Sequence, residues 1–98
     1  MKTIYKFIIE PGGTRSIPMP AGAEVLSVHV QRGEVCMWAL VETEARMEIR
    51  TFGVFGTGHT VDPCPRGDRW GHDSWHFLGT VLLENDALVF HIFEARQP

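Results

Sequence analysis

The chain has 98 residues, with 9 Lys and Arg against 12 Asp and Glu and a formal charge of −3. That length fits one domain, residues 1–98, and excludes a doubly wound dinucleotide fold built from two full halves. The acidic balance argues against a grip on bulk nucleic acid through its phosphates, while a small anion needs only a few local donors.

The apolar content of 44% supports a folded core. A domain of this size buries roughly 65% of the surface its unfolded chain exposes. Its margin is therefore modest, and a homo-oligomer is expected. No apolar run approaches the ~20 residues of a membrane span. Met1-Lys2-Thr3-Ile4-Tyr5-Lys6 runs straight into a strand-like pattern without a signal peptide's layout. Two cysteines, Cys36 and Cys64, make no disulfide framework and read as reduced thiols of a cytoplasmic protein.

The dominant period along the chain is two, which belongs to strands. Residues 3–10 are rich in Ile, Tyr and Phe, and Pro11-Gly12-Gly13 stops them. Residues 15–18 read as a short edge segment, because Pro18 and Pro20 forbid a central strand. Residues 24–31 alternate, with Leu26, Val28 and Val30 on one face and Ser27, His29 and Gln31 on the other. Arg32-Gly33 is a tight hairpin turn. Residues 34–42 return as a strand that is apolar on both faces, and hence central. On it, Trp38 shares a face with Cys36 and Leu40 and is expected in the core.

After the connection Thr43-Glu44-Ala45, residues 46–55 alternate with Met47 and Ile49 opposite Glu48 and Arg50. Gly56-Thr57-Gly58-His59 breaks the pattern. Residues 60–74 are irregular, and a loop of that length in a small domain is usually functional. Residues 75–84 and 87–94 close the chain as a hairpin around Asn85-Asp86. Six or seven short strands without a helix predict an all-β fold: a small antiparallel β-sandwich or a partly closed barrel.

Three segments carry a family resemblance. The hairpin of residues 24–41, the segment Arg50-Thr-Phe-Gly-Val-Phe-Gly-Thr-Gly-His59, and the tail Phe77-Leu-Gly-Thr-Val-Leu-Leu with Ala87-Leu-Val-Phe-His-Ile-Phe-Glu94 resemble a family of short proteins from tailed phages and prophages. Residues 61–74 depart from it, being longer and richer in Trp, His and Arg than the simple turn expected there. The resemblance implies a phage setting and no particular chemistry.

Two stretches carry candidate chemistry. In Gly56-Thr57-Gly58-His59 the glycines allow close backbone approach and turn N–H groups toward one point, Thr57 adds a hydroxyl and His59 a ring nitrogen. Arg50 lies upstream with a fork suited to phosphate or carboxylate. The P-loop's Lys-Ser/Thr ending is missing, and a glycine-rich strand end is the bland alternative. In the long loop, Trp70 and Trp75 can stack on a base, while Arg66 and Arg69 can neutralise phosphates. Against that, both Trp can simply anchor the loop to the core.

His59, Asp62, Cys64, His72, Asp73 and His76 are metal-ligating types, but their spacing fits no finger or metalloprotease helix, and neither metal nor cofactor is expected. His91, which shares a face with Val89 and Phe93, reads as a satisfied histidine. The functional expectation is a binding protein, not an enzyme, that sequesters an anionic nucleotide-like ligand, linear or cyclic, such as a host anti-phage defence signal. A protein-protein interaction module (an inhibitor of a host factor or a minor virion component) and a small metal-dependent hydrolase are the alternatives.

Overall fold

A computed structural model describes residues 1–65 and 74–95. It contains seven strands: β1 (Lys2–Ile8), β2 (Gly13–Pro20), β3 (Glu24–Gln31), β4 (Glu34–Glu42), β5 (Met47–Gly56), β6 (Trp75–Leu83) and β7 (Leu88–Ala95). They form a three-stranded antiparallel sheet in the order β1-β4-β3 and a four-stranded antiparallel sheet in the order β2-β5-β7-β6. The arrangement is a two-sheet sandwich with open edges, not a closed barrel. The described residues include no helix long and apolar enough to cross a membrane.

Alternation decides which side chains meet between the sheets. The first sheet contributes Val35, Met37, Ala39 and Val41 of β4 and Val28 of β3, with Phe7, Val25 and Val30 packed at the margin. The second sheet answers with Met19, Phe52, Val54, Val81, Phe90 and Ile92. Each fully buried side chain of this size contributes roughly 1.5–3 kcal/mol by leaving water. β4 is central to its sheet, as its two apolar faces predict, and β2 is an edge strand, as its prolines require. The edge strand is longer than residues 15–18, because it pairs with β5 from Gly13 to Pro20.

Two expectations change. A bulge between Val25 and Ser27 breaks the alternation of β3, so Leu26 is exposed while Val25, Val28 and Val30 take the core side. Trp38 lies with Leu40 on the outer face of its sheet, only half-buried, and not in the core; its ring leans on His29 at 6.1 Å. Both faces of β4 are apolar, so alternation alone could not say which one meets the second sheet. Met47 and Ile49 stay 59% and 56% exposed, while Arg50 on the opposite face is drawn between the sheets.

The turns follow local rules. Arg32 and Gly33 both have positive φ, 52° and 78°, as a two-residue type I′ hairpin needs. The β6–β7 turn carries three successive positive φ values, at Glu84, Asn85 and Asp86. After β5, residues 59–65 run back over the outer face of the four-stranded sheet. Asp62 fixes them there: its side chain accepts a hydrogen bond from Thr14 Oγ1 at 2.9 Å, and its carbonyl accepts one from the Trp75 indole N–H at 2.9 Å.

Candidate functional site

The glycine segment sits where β5 ends beside the start of β7. Thr57 N–H donates to the Val89 carbonyl at 3.1 Å and His59 N–H donates to the Gly56 carbonyl at 3.0 Å, closing the turn through Gly58 at φ +83°. The His59 ring lies over Gly56, where a Cβ would stand 2.5 Å from it and turn the exposed ring aside. Gly56, Thr57 and His59 form one wall of a shallow hollow of about 150 Å³, and residues 87–90 form the other.

Thr57 does not stand alone. Its Oγ1 lies 2.8 Å from His91 Nε2, and the other ring nitrogen, Nδ1, lies 3.0 Å from Thr80 Oγ1. A neutral imidazole has one N–H and one bare nitrogen, so one hydroxyl accepts from the ring while the other donates to it. The pairing explains the geometry. Thr80 and His91 are direct cross-strand partners on β6 and β7, and Phe55, two residues before Thr57, faces His91 from β5. Thr57 and Thr80 are exposed, so the chain of three polar groups opens to solvent at the hollow's Thr57 wall.

The other candidates separate. Arg50 points between the sheets, not toward the glycine turn. Its Nε and Nη2 donate to the two carboxylate oxygens of Glu94 at 2.5 and 2.9 Å, and Nη1 donates to the Ala23 carbonyl at 2.6 Å. The Glu94 hydrogen bonds hold its pKa above the usual arginine value, against the opposing effect of burial. Gly56 lies six positions along the strand from Arg50, a span of roughly 20 Å.

Trp75 is an anchor for the loop. Beyond its bond to Asp62, its ring meets Phe55 edge-on at 5.7 Å and Phe93 at 6.4 Å. Phe77 extends the cluster, 5.5 Å from Phe93. Arg66, Arg69 and Trp70, with His72 and Asp73, lie outside the described residues. Among the described residues no three His, Cys, Asp or Glu side chains gather as metal ligands.

A second hollow, of about 360 Å³, lies between the β3–β4 and β6–β7 turns, lined by Val30, Gly33 and residues 82–86. Glu84 and Asp86 stand in its wall, so its charge opposes an anion. The smaller hollow has no carboxylate in its lining.

Pattern reading passed over Thr80, and it read His91 as a satisfied histidine, as the pairing of both ring nitrogens bears out. Their signal was present: a hairpin centred between Asn85 and Asp86 pairs residue 80 with residue 91, and the observed register does so.

Together, the fold and this surface define an all-β sandwich protein with a hydroxyl–imidazole–hydroxyl relay beside a glycine turn. The family described as Domain of unknown function (DUF7352) matches residues 1–98, and the chain belongs to it. No curated protein and no solved structure matches the chain.

Proposed function

We propose that the chain is a binding protein that holds the anionic end of a small nucleotide-like molecule against the 56–59 turn, without turnover. The observation that carries this reading is the Thr57–His91–Thr80 relay at the wall of the smaller hollow. The Thr57 hydroxyl and the His59 imidazole suit a phosphoryl or carboxylate group, and Gly58, with open space at its Cβ position, admits it close to the backbone. A hollow of about 150 Å³ is smaller than the ~300–1,000 Å³ of drug-sized ligand pockets. It fits the charged group alone, and the remainder of the ligand would lie across the neighbouring surface.

Binding is favoured over turnover by the third member of the relay. In a nucleophile–histidine–acid triad the acid stabilises the imidazolium that forms. Thr80 carries no charge and cannot do so. The resemblance to tailed-phage proteins supplies a setting: a small protein in the host cytoplasm that captures a defence signal needs affinity and no chemistry.

A thermal-shift series with inorganic phosphate, AMP, ADP and cyclic dinucleotides tests the proposal. A ligand at ten times its Kd stabilises the native state by about 1.4 kcal/mol, which is a rise of roughly 6–11 °C in Tm for a domain of this size. The shift should vanish in Thr57→Val. If no anion moves the melt at millimolar concentration, or if Thr57→Val responds like the native chain, the site is wrong.

A further inference from the structure

Four strands end the two sheets at their edges: β1 and β3 in one, β2 and β6 in the other. Exposed edges invite pairing with other chains, and folded proteins usually interrupt them with proline or a bulge. Three of these four follow that rule. β2 contains Pro18 and Pro20, β3 is bulged between Val25 and Ser27, and β6 is irregular between Phe77 and Gly79. β1 has no such interruption and pairs with β4 in unbroken register from Lys2 to Ile8.

The hydrogen bonds of β1 fix which backbone groups remain. The Met1 carbonyl accepts from Thr43 N–H at 3.0 Å, and Ile9 N–H donates to the Val35 carbonyl at 2.9 Å. Both are odd-numbered residues, and antiparallel ladders alternate. The odd residues of β1 therefore bond to β4, and Lys2, Ile4, Lys6 and Ile8 aim their N–H and C=O groups at an edge that no other strand among the described residues covers. The side chains of Ile4 and Ile8 are 56% and 49% exposed.

We propose that β1 is the contact strand of a homodimer, in which two copies pair antiparallel across this edge and merge their three-stranded sheets into one of six strands. A second copy is selected by the charge register. With the two-fold axis at Tyr5, Lys2 faces Ile8 and Ile4 faces Lys6 of the other copy, so every lysine lies opposite an isoleucine. All four outward residues then exchange backbone bonds. Moving the axis to Ile4 sets Lys2 against Lys6, and moving it to Lys6 sets that lysine against itself; like charges directly opposite are destabilising. In the favoured register Ile4 lies opposite Lys6 of the other copy, whose ammonium donates to Gln31 Oε1 at 2.9 Å across its own sheet, and Leu40 and Trp38 face Ile4 and Lys6 on β4.

Ile4→Pro tests the pairing selectively. It removes an N–H aimed at the edge and none that bonds to β4, and proline is tolerated on an edge strand. Light scattering should give a dimer for the native chain at roughly 100 μM, by mass action, and Ile4→Pro should weaken dimerisation about tenfold or more while remaining folded. Amide hydrogen exchange of the native chain is an independent measure, which decides even if the variant fails to fold. The amides of Ile4, Lys6 and Ile8 should become protected as concentration rises, while those of Tyr5, Phe7 and Ile9 are protected throughout. A monomer at that concentration, even-numbered amides that ignore concentration, or a folded Ile4→Pro chain that dimerises as before would each overturn the proposal. Protection of those amides only by another protein's extended segment would overturn it too, giving the edge a different partner.

Discussion

Arg50 grips both carboxylate oxygens of Glu94 and, with its remaining arm, the carbonyl of Ala23, joining β5 to β7 and to the approach into β3. Both charged side chains are 16% exposed. Removing the guanidinium would leave a largely buried carboxylate without its partner, which typically costs several times what an exposed pair contributes. Arg50→Ala should lose roughly 3 kcal/mol in urea unfolding. Because the folded-state pKa of Arg50 is raised, its contribution is fully present below the unfolded value and disappears only as pH climbs past the folded one. The penalty of Arg50→Ala that comes from this arginine's charge should therefore show no alkaline fade up to about pH 10. Where the variant is folded, anion affinity should equal that of the native chain; a loss would return Arg50 to the ligand site.

Gly53 lies under the aromatic cluster on the outer face of the four-stranded sheet. A Cβ there would stand 2.4 Å from the Phe55 ring and 3.1 Å from Trp75. Those rings are also held by Phe93 and by the Asp62 carbonyl, so they have little room to yield. Gly53→Ala should destabilise by about 1–3 kcal/mol, although alanine is ordinarily the easier residue to order in a strand. Thermal unfolding followed by tryptophan fluorescence reads both the loss and the displaced indole. A Tm equal to or above that of the native chain would show that the rings are not fixed as described.

Local pattern made the strands legible, and long-range pairing decided the site. The period-two runs, Arg32-Gly33 and Asn85-Asp86 located the hairpins, and the prolines placed β2 at an edge, because turn chemistry and missing donors act within a few residues. Arg50 looked available for a ligand since Glu94 lies 44 positions away, and the partnership exists only because β5 and β7 are neighbours. Trp38 was unreadable for another reason: a strand apolar on both faces carries no signal for its inward side. The relay was half legible. Hairpin arithmetic pairs Thr80 with His91, but Thr57 reaches His91 only through the β5–β7 register.

Two bonds to Asp62 tie the segment 59–65 to β2 and β6. Trp75→Phe keeps an aromatic ring in the cluster but loses the indole N–H that reaches the Asp62 carbonyl, together with part of the ring volume. Asp62→Ala keeps that carbonyl and releases Thr14. Asp62→Ala should cost about 0.5–1.5 kcal/mol, the usual net value of one hydrogen bond, and Trp75→Phe more, because it also removes packed volume. Both should also speed limited proteolysis at residues 59–65 more than their global cost explains, because local opening needs less free energy than unfolding. Trp75→Ala should be far worse, at roughly 3–5 kcal/mol, since it empties the space beside Phe55 and Phe93. Equal proteolysis rates in the native chain and Asp62→Ala would show that the segment is held by other means.

The relay makes a prediction about protons as well as ligands. Thr57 and Thr80 contact opposite nitrogens of His91, and each hydroxyl can donate or accept. With both present, the ring is fixed in orientation, and the hydroxyl that accepts from its N–H selects the tautomer. In Thr57→Val, Nε2 loses its protein partner in the relay and only Nδ1 is constrained. Nitrogen-15 shifts of the imidazole should therefore move between the native chain and Thr57→Val, and move differently in Thr80→Val. Stability should fall by no more than about 1 kcal/mol in either, because both hydroxyls are exposed and water replaces them readily. Anion binding separates the two: Thr57 lines the hollow and Thr80 does not. Thr57→Val should abolish the ligand-induced melting shift, and Thr80→Val should only reduce it by loosening the ring. An identical effect of the two substitutions on binding would mean that the anion is recognised by His91 alone.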